Sequence, residues 1–466
     1  MGSFWLVFLR LLKQFCSVAL VCVFISVVIP ADLWAFKYGD VVWSVSDFYS
    51  FFPKNEWRSV ADDKKDGIIT GFLKQNVAAQ NALNLGLNYS EDVEKKLSAR
   101  YKMLMVNEYY MRHFLGSLIP YSAISFCKQN LKREVYAKHI LFSLDGVSNK
   151  DSVFVLAKAL KDSIDNGENF GLLASRYSSD PSVGVNGGDL GWVQIGKTVP
   201  VFQNTLFSLC SGCVEVVETD FGIHVVSVDS SRFSSYNEMD DNLYNDYVFR
   251  FASAYIEESL KDVAAAHDTL LIRDANISFN RDVFKELVLL LDDELKRKNG
   301  KRKDVNIIEI LKGFSKGLVL YDSEVLSGAW FANKIETTLH RVSFYSSVDD
   351  MINDFNMILL RDIVYKKAEN LKLNENFSFN NQYTVVMLGL YEKAYLKWLT
   401  DNVAVPTKQE VETYHKENQS EQDLNLAYKS IETILLQKKQ KEAKSLFEKS
   451  IEDRVNILIN TEWYND

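Results

Sequence analysis

YSSDPSVGVNGGDLGW, from Tyr177 to Trp192, turns through Gly187, Gly188 and Gly191 within five residues. Glycine tolerates positive φ, and an Asp side chain bonds readily to nearby backbone, so Asp189 reads as a turn former. Upstream, Phe170 to Tyr177 has the length of a short helix. Ser152 to Asn166 carries apolar residues at helical spacing (Val155, Leu156, Ala159, Leu160, Ile164). Before these, Glu134 to Phe142 (EVYAKHILF) reads as a strand. Downstream, Pro200 suits the first turn of a third helix. Two strands, Val214 to Glu218 and Ile223 to Val228, close the unit through the turn at Thr219, Asp220, Phe221 and Gly222. The expectation is a small α+β domain over 133–232.

Four ordered blocks, AKHIL, YSSDPSVGVNGGDLGW, VPVFQNTLFSL and TDFGIHVVSV, resemble in order and spacing the signature of parvulin-type (PpiC) prolyl isomerases of SurA- and PrsA-like exported foldases. The resemblance implies a small mixed or antiparallel sheet with surrounding helices. It implies catalytic roles for His139, Asp180, Thr219 and His224, and a proline pocket of Leu190 and Phe202 with Trp192 nearby. Thr198 stands where the family usually has methionine. The loop from Cys213 to Glu218 is one residue short and lacks the usual Gly-Pro.

The chemistry asks for such residues. Rotating an X-Pro bond breaks amide resonance, a barrier of roughly 18–20 kcal/mol, and cleaves nothing. No cofactor or metal is therefore expected. An apolar pocket favours the less polar twisted amide, while polar groups can bind that state better than either planar form. A hydrogen-bonded His139–His224 pair, with Thr219 holding a tautomer and Asp180 nearby, would supply them. A lone strand histidine is usually structural, and the other four histidines have no motif. Asp180 also lies where some relatives carry cysteine, which removes a thiol route.

Flanking this domain, helical patterning runs from about Lys64 to Leu118, with a turn at Asn88, Tyr89 and Ser90 before a second helix. The layout returns 286 positions later without a gap: Asn84 to Asn88 corresponds to Asn370 to Asn374, Ala82 to Ala368, Tyr109 to Tyr395 and Pro120 to Pro406. The fold class expected is thus an α+β parvulin domain inserted between mainly α-helical chaperone arms. The divisions are 1–35 (export signal or membrane anchor), 36–132 (amino-terminal arm), 133–232 (isomerase domain) and 233–466 (carboxy-terminal region repeating the arm). The arms' aromatic residues read mostly as core, with an apolar cradle for unfolded chains as the sharper alternative.

Arg10 and Lys13 precede an uncharged stretch from Gln14 to Ala31, the pattern of an export segment. Cleavage and membrane attachment through residues 4–31 both stay open, and a periplasmic or envelope location is expected. A net charge of −9 with mixed signs argues against a nucleic-acid partner. Of five cysteines, Cys210 and Cys213 form a lone C-x-x-C, read as incidental thiols with a local disulfide as the rival. The function expected is isomerase and chaperone for unfolded or partly folded exported polypeptides containing X-Pro bonds. The alternative is a non-catalytic holdase whose parvulin domain only binds peptides.

Overall fold

The computed structural model describes residues 34–465 except 59, 145–148, 238, 240, 257–258, 339–341, 343 and 419–423. The export segment expected over 4–31 lies outside them. The chain forms two compact units, one from residues up to 93 with 387 onward, the other from 94–386.

Strands β1 (Trp34–Tyr38) and β2 (Val41–Ser44) form a hairpin that runs into helix α1 (Val45–Phe51). The Ser44 hydroxyl accepts the Asp47 N–H and the Asp47 carboxylate accepts the Ser44 N–H, a capping box worth about 1 kcal/mol. Helix α2 (Asp62–Asn84) buries Ile69, Phe72, Leu73 and Val77 beneath this hairpin. Helix α3 (Glu91–Glu108) continues through a π-helical turn, Tyr109–Phe114, and α4 (Tyr121–Asn130) starts after Pro120.

The isomerase-like domain then follows as β3 (Arg133–Phe142), α5 (Lys150–Asp165), α6 (Phe170–Tyr177), β4 (Asp189–Gln194), α7 (Pro200–Ser208), β5 (Cys213–Thr219) and β6 (Gly222–Phe233). Its antiparallel sheet has the order β4-β3-β6-β5. Alternation divides the strands between two faces. Ile140, Phe142, Ile223 and Val225 face α5 and α6. Val135, Ala137, Val226 and Val228 face α4, α7 and the exit helix α8 (Asp241–Ala252). The core therefore takes in helices on both sides of the hundred-residue block. The glycine-rich stretch expected as loop becomes edge strand β4, because the left-handed Gly187 and Gly188 turn the chain back onto β3.

After α9 (Leu260–Asp274) comes a region expected to be helical, which builds a second small sheet instead. It contains β7 (Ser278–Phe279), α10 (Arg281–Arg297), α11 (Ile307–Gly313), β8 (Gly317–Tyr321), β9 (Glu324–Ser327) and α12 (Gly328–Thr338). Helices α13 (Val348–Asn370), α14 (Phe377–Asp401), α15 (Lys408–Glu417), α16 (Leu424–Glu452) and strand β10 (Ile457–Ile459) complete the chain.

The recurrence at 286 positions appears as paired elements. Helices α2 and α13 have 23 residues each, and each leads to a left-handed residue, Gly86 or Lys372, followed by a short 3-10 turn. Two further correspondences have other offsets. Hairpin β1–β2 with α1 matches β8–β9 with α12, placing Tyr38, Ser44 and Phe48 against Tyr321, Ser327 and Phe331, with both phenylalanines fully buried. Asn276 and Asn456, both left-handed, lead into β7 and β10. Strand β10 pairs with β1, and β7 pairs with β8. The strand that closes each recurring segment thus completes the hairpin of the other. The first arm's Phe36, Phe48, Trp57 and Phe72 go into core, in one cluster with Trp463 of the carboxy-terminal region.

Candidate active site

His139 and His224 lie on the central strands β3 and β6, on the face that α7 covers. His139 pairs with Val226 and His224 with Leu141, so the two imidazoles are diagonal neighbours. Both side chains are buried, and their rings stack at 5.7 Å between centroids with planes 21° apart. The direct hydrogen bond expected between them is not formed. Each ring turns its Nε2 outward instead, His139 to Asp180 Oδ2 at 2.5 Å and His224 to Thr219 Oγ1 at 2.8 Å. Their Nδ1 atoms are buried with no hydrogen-bond partner in the structure.

These contacts constrain the protons. An ionised carboxylate only accepts, so its bond places a His139 proton on Nε2. The Thr219 hydroxyl accepts the Phe221 N–H at 3.1 Å, which leaves its own proton free for His224 Nε2. Burial would push the Asp180 carboxyl up. The Ser182 N–H and hydroxyl and the His139 ring overcome that and hold it below the ordinary carboxylate range. Burial pushes His224 down to about 4, helped by His139 and opposed by Asp180. His224 is therefore neutral at pH 7.

Phe202, near the start of α7, is buried and lies T-shaped against His224, with centroids 5.0 Å apart. It stands 6.1 Å from His139. Leu190 is the residue skipped where Ala137 pairs with Gly191 and Lys138 with Asp189, and this bulge lets it pack on the same core. Trp192 requires a correction. Strand alternation past the bulge sends it to the other face, where it packs on Tyr136 at 5.3 Å and beneath Arg232 at 4.0 Å. Thr198 lies between β4 and α7 with a buried hydroxyl that has no partner. Asp189 acts as expected of a turn former: its carboxylate accepts the Gly191 N–H and the Tyr136 hydroxyl. Cys210 and Cys213 are joined as a disulfide, the rival reading of that pair.

Several residues at the site carried no individual signal in the sequence. Ser178 accepts the Leu141 and Asp180 N–H groups and ties the Asp180 loop to β3. Gln203 is buried, accepts the Gly196 N–H and donates to the Tyr255 hydroxyl, joining α7 to the segment after α8. Among the described residues there is no cluster of His, Cys, Asp and Glu suited to a metal ion.

Residues 123–232 match the family described as the PPIC-type PPIASE domain. This stretch is a PPIC-type domain. Over 116 residues the chain is 40% identical to a "Foldase protein PrsA" from Geobacillus kaustophilus, covering 24% of this chain and 38% of that one. Over 109 residues it is 37% identical to a "Chaperone SurA" from Pseudomonas putida, covering 23% of this chain and 26% of the other. The aligned stretch thus spans well under half the length of these curated relatives. Among solved structures, a PpiC-type peptidyl-prolyl cis-trans isomerase domain is 26% identical. That similarity covers 22% of this chain and 95% of the other, with a TM-score of 0.21.

Proposed function

We propose that the chain is an exported peptidyl-prolyl cis-trans isomerase and chaperone that assists the folding of envelope or secreted proteins. The observation that carries this reading is the stacked His139–His224 pair, tied to Asp180 and Thr219 and flanked by Phe202. A proline ring gripped against Phe202 would fix one side of the rotating bond. The carbonyl on the other side, swinging past the imidazoles, would meet polar groups set for the twisted amide rather than for either planar form. No nucleophile, metal or cofactor enters the scheme.

Substrates in this reading are unfolded or partly folded exported polypeptides, with X-Pro bonds as the reacting sites and the arms holding the rest of the client. Arg10, Lys13 and the apolar run after them would direct export, and membrane attachment through residues 4–31 would keep the foldase at the inner-membrane surface. The test is refolding of a proline-limited protein in the presence of the full chain. Uncatalysed X-Pro isomerisation takes tens to hundreds of seconds; a dose-dependent shortening of that phase is expected, and its absence would remove the enzyme from the proposal. The unpartnered Thr198 hydroxyl favours a second reading, a holdase whose pocket binds proline segments with little turnover. Suppressed client aggregation with an unchanged slow phase would select it.

A further inference from the structure

Starting at the His139 backbone, a chain of hydrogen bonds leaves the strand, crosses the glycine-rich loop and returns to the same residue at its ring. The His139 N–H donates to the Gly188 carbonyl at 2.8 Å. The Gly188 N–H donates to Asn186 Oδ1 at 2.9 Å, and Asn186 Nδ2 donates to Ser182 Oγ at 2.9 Å. The Ser182 hydroxyl donates to Asp180 Oδ1 at 2.8 Å, alongside the Ser182 N–H at 2.8 Å. Asp180 Oδ2 then takes the His139 ring at 2.5 Å, which closes the circuit.

We infer that Ser182 and Asn186 are positioning residues of the isomerase site: they fix the Asp180 carboxylate, and through it the tautomer and tilt of His139. This rests on the proposed isomerase activity and adds two residues to it. The physical argument concerns the two carboxylate oxygens. With Oδ1 held twice by Ser182, the carboxylate cannot rotate, and only Oδ2 is presented to the imidazole. Asn186 orients the Ser182 hydroxyl by donating to it, so that its proton goes to Asp180. The other end of the same amide holds Gly188, whose carbonyl pins the strand backbone that bears the ring. Gly188 has φ of +83°, and a Cβ there would lie 2.5 Å from the His139 carbonyl oxygen, so the loop and the strand are in closest approach at this link. The hydrogen bonds of Ser182 and Asn186 run to Asp180 and Gly188, while the proline pocket is the apolar cluster of Leu190 and Phe202. Their effect would therefore fall on turnover rather than on substrate binding.

The experiment compares Ser182→Ala, Ser182→Thr, Asn186→Ala and the Ser182→Ala/Asn186→Ala pair in the full chain, assayed on a proline peptide with a spectroscopic reporter. Ser182→Ala and Asn186→Ala should each lower kcat about tenfold with KM within about twofold, since each breaks the one circuit. Ser182→Thr should restore most of the loss. The pair should lose little more than either single variant, whereas independent loop-stabilising roles would add. Nitrogen NMR of the histidine rings supplies a readout independent of turnover: the His139 Nε2–H resonance should shift and exchange faster in each alanine variant. If the wild type fails to catalyse, the proposed activity falls while the NMR still decides the positioning. An active wild type whose alanine variants keep both kcat and the His139 resonance overturns this inference alone.

Discussion

Replacing Gly188 with alanine tests how tightly the glycine-rich loop is fitted to β3, and the neighbouring Gly187 provides a matched control. Both glycines have positive φ, 60° at Gly187 and 83° at Gly188, so an added Cβ costs each about 1–2 kcal/mol of backbone strain. The surroundings separate them. At Gly187 the nearest atom to the new Cβ is Gly171 Cα at 3.9 Å, which is ordinary contact. At Gly188 the Cβ would meet the His139 carbonyl oxygen at 2.5 Å and Ala174 Cβ at 2.9 Å, and neither can swing aside as the end of a long side chain would. Overpacking of this kind adds about 1–3 kcal/mol. The expected destabilisation is thus about 2–5 kcal/mol for Gly188→Ala against about 1–2 kcal/mol for Gly187→Ala. The assay is native-state hydrogen exchange at the His139 amide, whose bond to the Gly188 carbonyl must open for exchange. Equal protection in the two variants would refute the close fit of loop and strand, and with it the account of how the His139 ring is held.

The pH behaviour of His224 follows from its pKa of about 4. The folded state binds fewer protons than the unfolded chain between about 4 and 6.5, so stability is lost as pH falls through that range. The shift caps the loss near ~3 kcal/mol, and solvent screening brings it to about 2 kcal/mol. The His224 ring should titrate by NMR with a midpoint near 4; a midpoint near 6.5 would show a solvated ring. Phe202→Ala should cost about 3–5 kcal/mol of domain stability and raise the Kd for proline peptides while aggregation suppression persists; an unchanged Kd in calorimetric titration would place the pocket elsewhere. A second titratable seam lies in the arm, where the His267 ring stacks on Phe114 at 4.4 Å and its Nε2 meets the Tyr109 hydroxyl at 3.1 Å. Burial lowers the His267 pKa, Asp268 opposes this, and His113 and Lys367 add to it, so helix α9 should lose exchange protection as pH falls below about 6.5. The recurring segment has Phe447 at the corresponding position, packed on Tyr395, so His267→Phe should remove that pH dependence; a dependence that survives would assign it to other groups.

Much of the fold was legible because the four sequence blocks supply strands β3 and β6, the glycine-rich turn into β4 and helix α7. Phe170–Tyr177 and the helix at Pro200 formed where apolar spacing and proline placed them. Other features depended on contacts that a linear pattern does not carry. Trp192 went to the wrong face because the bulge at Leu190 shifts alternation by one residue, and a single-residue slip exchanges the two faces of a strand. The imidazoles stack instead of bonding because Asp180 and Thr219 offer each Nε2 a better partner. The exchanged strands were hidden for a simpler reason. With two residues in β7 and three in β10, neither is long enough to show alternation, and their offset differs from that of the helices because the block from β3 to β6 interrupts only one of the two recurring segments.

The central claim, that this pair of imidazoles beside Phe202 speeds rotation about X-Pro bonds, is tested most directly by two-dimensional NMR exchange on an unlabelled proline peptide with catalytic amounts of the full chain. Cross-peaks connecting the cis and trans forms should appear at mixing times under a second and vanish with His139→Ala/His224→Ala. A peptide whose resonances shift on binding, yet shows no cis–trans exchange above the uncatalysed rate, would contradict the claim and leave the domain a binder of proline segments.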